Sequence, residues 1–345
     1  MKKLNLKNTM SLTAAAALTL SLAACGSGSG SSTPAPADTA EPTGQGVSGY
    51  KIAIVQQLDH ASLDEIRQAV EAELDAKAAE LGIAIDYTEF NGQNDQSLLN
   101  QIGAQVAGEG YDAVIPIATL AAQCMVNATE DLGTPIIYAA ISDPATAGLT
   151  GIDRVTGTSD ALNTAFILDM MFAQDPDIQT VGLLYSPSEP NSETPIAEAK
   201  EYLDAKGIAY VERTGVNPDE IIAAAASLAG EADAVFTPTD NSVMAVELTI
   251  AETFIEAGVP HYTGADSFVR NGAFATCGVN YTALGTQTAD LVYQAITEGM
   301  DGMEDYYTAE GGIVTVNTET AEALNIDTAV FKDFGDVVEV TTTED

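Results

Sequence analysis

The sequence predicts an α/β fold of two similar lobes, each a doubly wound parallel sheet. From Tyr50 onward, short apolar runs alternate with segments of helical periodicity, and polar residues follow the apolar runs. The order of these segments also repeats with a period of about 125 residues, which is the length of one domain. A regular strand–helix alternation gives a parallel sheet that is covered by helices on both faces.

The repeat is clearest in two stretches of the sequence, one from each half. Residues 111–121 read Tyr-Asp-Ala-Val-Ile-Pro-Ile-Ala-Thr-Leu-Ala, and residues 232–242 read Ala-Asp-Ala-Val-Phe-Thr-Pro-Thr-Asp-Asn-Ser. In both, a buried strand ends at a polar turn before a helix, and Thr119 falls where Asp240 falls. Ligands bind at the carboxyl ends of parallel strands, where the next helix exposes N–H groups, so these turns predict the site. Common descent of the halves stays open.

The first residues predict export. Lys2, Lys3 and Lys7 precede an uncharged apolar run that ends Leu-Ala-Ala before Cys25. This pattern is typical of a signal peptide, residues 1–24, with a lipoprotein cleavage box. The alternative is an uncleaved membrane anchor, although the run is short for a spanning helix. Cleavage would leave Cys25 as the lipidated first residue, which predicts an extracytoplasmic protein anchored to the cell membrane.

Residues 25–49 predict a flexible tether, because they are mostly Gly, Ser, Thr, Pro and Ala without apolar periodicity. The whole chain has 51 acidic and 12 basic residues, a formal charge of −39. The predicted signal peptide holds three of the lysines and no acid, so the remainder carries −42. This charge repels nucleic acid and anionic lipid, so the lipid anchor is the only expected membrane contact.

The first half is predicted to begin with a strand at 51–56, followed by a helix at 62–80 that Ser62 and Glu65 open as a capping box. The remaining strands are predicted at 83–90, 113–117 and 135–141, and the remaining helices at 96–107 and 121–132. The first unit ends near Gly157.

The second half repeats the order. Strands are predicted at 181–185, 209–213, 234–236, 261–263, 273–277 and 313–316, and helices at 196–206, 218–229, 243–257 and 284–298. Residues after Phe334 are acidic and Thr-rich and are predicted to be loose. Cys124 and Cys277 fall in different halves and are predicted to be buried free thiols.

Residues at the predicted carboxyl ends of strands are mainly amides and hydroxyls with a few carboxylates. Such a set can bind an ammonium through acids and a carboxylate through hydroxyls and helix N–H groups, which suits a zwitterion. The candidate ligand-binding residues are Gln57, His60, Thr119, Gln123, Ser142, Asp143, Ser186, Glu189, Asn191, Ser192, Thr239, Asp240, Asn241, Asp266 and Asn280.

The sequence does not predict an enzyme. It has two histidines and lacks the serine-hydrolase elbow, the Walker loop, the dinucleotide glycine motif and clustered Cys/His ligands. We therefore expect no catalytic residue, no metal site and no cofactor. His60 could contact a ligand or cap and pack locally, and His261 is predicted to be a core or edge histidine.

Several stretches carry a resemblance to a known family: residues 54–56, 115–123, 142–144, 185–192, 238–241 and 278–285. On these, the chain resembles the solute-binding lipoproteins of ABC importers with the type I periplasmic-binding-protein fold, in the tryptophan and aromatic amino-acid branch. The resemblance implies two lobes joined by three crossing strands, with the ligand between them. The implied lobes are 50–157 plus 280–305 and 158–279 plus 306–345, with Gly157 and Gly278 as candidate hinges.

The resemblance also implies roles for the turn residues. Thr119 and Gln123 would contact the ligand from the first lobe, while Asp240 and Asn241 would hold its polar head and Asp266 would support them. Leu120 stands where the family pattern has proline, and Ser186 where it has asparagine. Both departures lie near the expected pocket, so they leave the ligand open.

The favoured function is therefore capture of a small solute, an amino acid of aromatic type first, by a monomer that delivers it to an ABC transporter permease. One alternative is a ligand-binding sensor lipoprotein for a signalling receptor. Another is a binder of a nucleobase, nucleoside or sugar. A two-lobed glycosyl-group transferase is disfavoured because few basic residues could hold a nucleotide diphosphate, and a repressor because no basic DNA-binding module is present.

Overall fold

The computed structural model describes residues 49–343 of the 345-residue chain. The predicted signal peptide, the lipidation site Cys25 and all of the tether except Gly49 lie outside the described residues. Among residues 49–343, no helix combines the length and the apolar character needed to cross a membrane.

The described residues form alternating strands and helices. In chain order the strands are β1 Gly49–Gln56, β2 Ala84–Asn91, β3 Ala113–Ile117, β4 Ile136–Tyr138, β5 Val155–Ser159, β6 Thr180–Tyr185, β7 Ala209–Thr214, β8 Ala234–Thr237, β9 His261–Thr263, β10 Ala275–Gly278, β11 Tyr307–Thr308, β12 Ile313–Asn317 and β13 Val337–Val340. The α-helices are α1 Ala61–Leu81, α2 Gln96–Glu109, α3 Thr119–Ala128, α4 Thr164–Gln174, α5 Glu193–Lys206, α6 Pro218–Leu228, α7 Asn241–Met244, α8 Glu247–Ala257, α9 Asp266–Arg270, α10 Tyr281–Glu298 and α11 Thr318–Leu324.

These strands build two sheets with the same internal order. The first sheet runs β2-β1-β3-β4-β5-β11, and the second runs β7-β6-β8-β9-β10-β12-β13. All pairings are parallel except β10 with β12. The first five strands of each sheet are equivalent, so the predicted pair of doubly wound lobes is confirmed.

The repeat extends to single hydrogen bonds. The Asp112 carboxylate, just before β3, accepts a bond of 2.7 Å from the backbone N–H of Lys51 at the start of β1. The Asp233 carboxylate, just before β8, accepts an equivalent bond of 2.9 Å from the N–H of Thr180 at the start of β6. The repeated Asp-Ala-Val motif therefore ties the start of one strand to its neighbour in both lobes.

The chain passes between the two sheets three times, through residues 160–163, 279–280 and 309–312. Helix α10 packs along α1 and against β3, β4 and β5, so it belongs to the first lobe. Strand β11 also pairs with β5 in the first sheet, although residues from 306 onward were assigned to the second lobe. Strand β5 likewise continues past the predicted boundary at Gly157 to Ser159.

The two candidate hinge glycines have different surroundings. A Cβ at Gly157 would overlap the carbonyl oxygen of Tyr138, so packing between β4 and β5 requires glycine there. Gly278 ends β10 directly before the second crossing. Their hinge roles stay predictions.

The predicted capping box of α1 is wrong. The N-cap residue is His60, whose side chain makes no capping bond, and Ser62 lies inside the helix. The Ser62 hydroxyl bonds that of Ser267 in the other lobe. The Glu65 carboxylate accepts bonds from Arg270 and from Thr282. Both side chains therefore make tertiary contacts instead of capping the helix.

The end of the chain also differs from its prediction. Residues 337–340 form β13, which pairs in parallel with β12, so the expectation of a loose end after Phe334 is wrong for this segment. Phe334 and Val337 pack against the core of the second lobe, and this burial outweighs the polar composition around them. The predicted helix 243–257 divides into α7 and α8.

Two predictions about buried side chains are confirmed. Cys124 and Cys277 are buried free thiols. His261 is a core histidine: one ring nitrogen lies 3.0 Å from a Glu247 carboxylate oxygen, and the other lies 2.8 Å from the Thr237 hydroxyl.

Candidate functional site

A cavity of about 20 Å³, room for about one water molecule, lies between the lobes at the carboxyl ends of the strands, so a larger ligand requires the lobes to move apart. The first lobe and the first crossing segment contribute His60, Ser62, Leu63, Ala118, Thr119, Ala140, Ser142, Asp160 and Tyr281. The second lobe contributes Asn191, Thr239, Asp240, Asn241, Met244 and Phe268. Thr119 and Asp240, which hold equivalent positions in the repeat, face this cavity from opposite lobes.

The cavity brings together seven of the fifteen predicted site residues. These are His60, Thr119, Ser142, Asn191, Thr239, Asp240 and Asn241. Five others lie beside it, in hydrogen bonds that support its walls or join the lobes: Gln57, Asp143, Ser186, Glu189 and Ser192.

The three remaining predicted residues lie elsewhere. The amide of Gln123 donates to the Ala147 carbonyl. The Asp266 carboxylate pairs with Arg270 at 2.7 Å. Asn280 is exposed and caps α10 by accepting from the N–H of Ala283. A direct ligand contact for these three stays an untested prediction.

Glu189 is the centre of a buried network between the lobes. Its carboxylate accepts bonds from the Gln57 amide of the first lobe at 3.2 Å, and from the Asn241 amide and the Ser242 hydroxyl at 2.9 Å each. Burial raises the pKa of Glu189, while these three donors act in the opposite direction. All three of these hydrogen-bond partners donate to Glu189, so the geometry holds its carboxylate as an acceptor.

Asp240 is bonded within its own lobe. One carboxylate oxygen accepts from the Ser186 N–H and the Ser192 hydroxyl, both at 2.7 Å. The other accepts from the N–H of Val243 and so caps α7. Burial, followed by the nearby Glu189 carboxylate, raises the pKa of Asp240 to about 7. The carboxylate thus holds three segments of the second lobe together as well as facing the cavity.

Asp160 is a cavity acid that was not among the predicted residues. It follows β5 in the first crossing segment and is 5 % exposed. Its two carboxylate oxygens accept from the Ser142 hydroxyl at 3.0 Å and the Tyr281 hydroxyl at 3.1 Å. Burial raises the pKa of Asp160, and the two hydroxyl donors oppose this. No cationic side chain faces it in the cavity lining, which makes it suited to a ligand cation.

Three buried polar atoms in this cavity have no hydrogen-bond partner in the protein. They are His60 Nδ1, Thr119 Oγ1 and Asn191 Oδ1. Only two other such atoms, Glu247 Oε2 and Asp266 Oδ1, occur among the buried side chains of residues 49–343. Because an unpartnered buried polar group is costly, this concentration indicates that a bound molecule, a water or a ligand, completes the bonds.

The backbone of the first lobe is unusual at the same place. Ala118 directly follows β3 and Ala140 lies two residues after β4, with φ of 77° and 57°, positive values that alanine rarely adopts. Both line the cavity. Ala118 is also the N-cap of α3 and offers no side-chain acceptor, while the Leu120 N–H in the first turn of that helix donates to the Gln57 amide oxygen at 3.2 Å.

The lobes are in direct contact around the cavity. Contacts between them include Gln57–Glu189, His60–Asn241, Ser62–Ser267, Asn94–Ser242, Ser142–Thr239 and Asp143–Thr194. Arg270 adds an ion pair with Glu65 of 2.6 Å. These contacts describe a closed arrangement of the two lobes.

The lining has acids, amides, hydroxyls and apolar side chains, with no lysine or arginine. Burial lowers the pKa of His60 to about 4, so its ring is neutral at physiological pH. Among residues 49–343, no group of three or more His, Cys, Asp or Glu side chains is placed to hold a metal ion. The arrangement can therefore bind a small ligand that carries hydrogen-bond donors.

Sequence reasoning missed two groups of lining residues. Asp160 follows a strand whose residues, Val-Thr-Gly-Thr-Ser, are largely polar, so the strand and its end were overlooked. The apolar residues Leu63, Met244 and Phe268 lie inside helices, where the search for polar turns could not reach them. A polar residue at the first lobe–lobe crossing was the available signal for Asp160.

Comparisons with known proteins agree with this architecture. A tyrosine-binding protein of Clostridioides difficile is 28 % identical over 280 residues, 80 % of this chain and 81 % of the relative. A Streptococcus pneumoniae structure in complex with L-Trp is 29 % identical, with a TM-score of 0.76 over 84 % of this chain and 100 % of the other. A ligand-free, open structure of a Clostridium difficile substrate-binding protein is also 29 % identical, with a TM-score of 0.63 over 85 % and 100 %.

The better superposition on the L-Trp complex than on the open structure accords with the contacts between the lobes. The similarities confirm the predicted two-lobed fold of type I periplasmic binding proteins. The family described as ABC transporter substrate binding protein matches residues 51–330. The chain is therefore a member of the ABC transporter substrate-binding protein family.

Proposed function

We propose that this protein binds a free L-amino acid with an aromatic side chain between its lobes and presents it to an ABC importer. The observation that carries the proposal is the set of unpartnered polar atoms together with the buried, cation-free Asp160 in one cavity. Relatives named for tyrosine binding or solved with L-Trp support the aromatic class.

The ammonium group of the ligand would bind Asp160. Its carboxylate accepts two hydroxyl bonds and retains lone pairs for a third donor. An ammonium supplies the missing positive charge and offsets the cost of burying the acid. Asp240, the residue first expected to hold this group, already accepts three bonds within its lobe, so we assign it a supporting role.

The carboxylate group of the ligand would bind at the start of α3. This helix has ten residues and begins at Thr119, whose hydroxyl is buried and unpartnered. The Leu120 N–H already donates to Gln57, so the ligand carboxylate would use the other N–H groups of the first turn and this hydroxyl, which form an anion site without a basic side chain. The absence of lysine and arginine from the cavity lining is therefore compatible with a zwitterionic ligand.

The aromatic side chain would pack against Leu63, Met244 and Phe268. They come from α1, α7 and α9, so both lobes contact the ring. A ligand that contacts both lobes favours the closed form over the open form, which is how a hinged binding protein signals occupancy to its permease. A monomer that is lipidated at Cys25 and works outside the cytoplasmic membrane completes the proposal.

Calorimetry of the purified protein without residues 1–48 tests this function. We expect L-tyrosine or L-tryptophan to bind, while 3-(4-hydroxyphenyl)propanoate, which lacks the ammonium, and tyramine, which lacks the carboxylate, bind at least about 100-fold more weakly. Glucose and adenosine serve as ligands of the alternative classes. Binding of either one without binding of any amino acid would contradict the proposal.

A further inference from the structure

The tautomer of His60 follows from the orientation of Asn241. The amide nitrogen of Asn241 donates to the Glu189 carboxylate, so its amide oxygen faces His60. That oxygen lies 3.1 Å from Nε2 of His60, which must therefore carry the proton. The same logic orients Gln57, whose oxygen accepts from the Leu120 N–H while its nitrogen donates to Glu189.

The other ring nitrogen, Nδ1, consequently has a free lone pair. It is buried, lines the cavity and has no partner in the protein. A neutral ring with its proton on Nε2 can only accept at Nδ1. This position therefore demands a hydrogen-bond donor from whatever occupies the cavity.

The surroundings of His60 place this acceptor near the apolar end of the cavity. Leu63 follows His60 by three residues on α1, and Met244 follows Asn241 by three residues on α7, so each pair shares a helix face. Phe268 lies next to Ser267, whose hydroxyl contacts that of Ser62. The side chains proposed to hold the ring thus lie on the helices that carry His60 and its partners.

His60 and Asp160 also follow different strands. His60 comes after β1 and Asp160 after β5, with β3 and β4 between them in the sheet. Strand spacing separates β1 from β5 by roughly 14 Å. The two acceptors thus lie at separate places along the first-lobe wall of the cleft, where they can face different parts of one ligand.

We infer that His60 Nδ1 accepts a hydrogen bond from an O–H or N–H group on the ligand's aromatic ring, which selects tyrosine or tryptophan over phenylalanine. The inference rests on the proposed function and names the ring substituent that the site reads. An analogue without the donor leaves Nδ1 buried and unpaired in the closed form, and this penalty produces the selection.

Two ligand series measured by calorimetry test the inference. Wild-type protein is titrated with L-tyrosine, L-phenylalanine and O-methyl-L-tyrosine, and separately with L-tryptophan and 1-methyl-L-tryptophan. In at least one series we expect the donor-bearing ligand to bind about 10- to 100-fold more tightly than its donor-free analogue. The series that shows the preference identifies the donor that His60 Nδ1 accepts from, the phenol O–H of tyrosine or the indole N–H of tryptophan. These measurements need no variant, so they decide even where a substitution prevents folding.

His60→Phe then assigns the preference to this residue. We expect the ratio of the two dissociation constants to fall to about threefold or less, because no acceptor remains. Leu63→Ala is the matched control, since it should weaken donor-bearing and donor-free ligands equally. An unchanged ratio in His60→Phe, or no preference in the wild type, would overturn the inference. Absence of binding of every amino acid would instead reject the proposed function itself.

Discussion

The two lobes present different kinds of polar surface to the cleft. In the second lobe, Asp240 is almost fully used by bonds to its own lobe, and Glu189 and Asn241 are bonded to each other and to the first lobe. The first lobe and its crossing segment expose the free atoms of His60 and Thr119 and the cation-free Asp160.

This difference separates support from recognition. A carboxylate that already accepts three bonds holds a wall in place, whereas one with two hydroxyl donors and no cation has capacity for a ligand. Among the described residues that line the cavity, the second lobe has one comparable free atom, Asn191 Oδ1, so it also contributes a contact. A buried acid in a cavity is therefore assigned by its remaining hydrogen-bond capacity, and not by its position alone.

The largest expected effect on ligand affinity comes from replacing the two cavity acids, Asp160 and Asp240, one at a time. Asp160→Asn should weaken binding of the amino acid at least about 100-fold, since removal of the anion leaves an ammonium buried without a counter-charge. Calorimetry measures the change. Asp240→Asn is the matched variant and should cost less affinity but lower the free energy of unfolding by about 1–3 kcal/mol, because its amide nitrogen faces donors. A larger loss of affinity in Asp240→Asn than in Asp160→Asn would contradict this assignment, because Asp240 would then be the acid that binds the ammonium.

The next effect tests the contact between the lobes. Glu189→Gln should reduce affinity by roughly tenfold or more, because one of its two acceptors becomes an amide nitrogen facing donors and the closed form loses stability. Small-angle scattering should show a larger radius for the variant at low ligand concentration. Glu193→Gln, an exposed change on α5, is the control. Equal affinities for both variants would remove Glu189 from the closing contact.

A pH effect follows from His60. Burial lowers its pKa to about 4, whereas an imidazole exposed in the open form would titrate near its usual 6.5. Closure of the lobes below pH 6.5 therefore releases a proton from His60. Ligand affinity should decrease as the pH is lowered, by about tenfold at pH 5.5 relative to neutral pH. The ratio of wild-type to His60→Phe affinities isolates this effect, since both proteins retain Asp64, Asp160, Glu189 and Asp240. A ratio that is constant from pH 8 to 5 would contradict it.

The smallest effect concerns the start of α3. Thr119→Val keeps the shape of the side chain and removes the unpartnered hydroxyl, so we expect affinity to fall about fivefold with little change in melting temperature. Thr297→Val, at an exposed position on α10, should leave affinity unchanged. If Thr119→Val binds as tightly as the wild type, the ligand carboxylate does not use this hydroxyl.

Much of the fold could be predicted because strand and helix periods are local signals. The predicted limits of β3 and β9 match the structure, and the repeat predicted two lobes of similar architecture. Strand β13 was missed because its pairing with β12 depends on residues distant in sequence. The capping box failed for the same reason, since the partners of Ser62 and Glu65 lie more than 200 residues away.

The site was predictable where it follows an apolar strand, as at Thr119 and Asp240. The remaining hydrogen-bond capacity of each acid could not be predicted. Asp160, for example, is bonded by Ser142 and Tyr281, which come from separate parts of the chain. Backbone strain at Ala118 and Ala140 was equally hidden, since alanine in a sequence does not indicate a positive φ.

A crystal structure of the protein with the amino acid that binds best tests the central claim most directly. We expect one ligand between the lobes, with its ammonium nitrogen within hydrogen-bond distance of the Asp160 carboxylate and its own carboxylate at the start of α3. A ligand whose ammonium contacts Asp240 while Asp160 contacts only Ser142 and Tyr281, or a ligand outside the cleft, would contradict it.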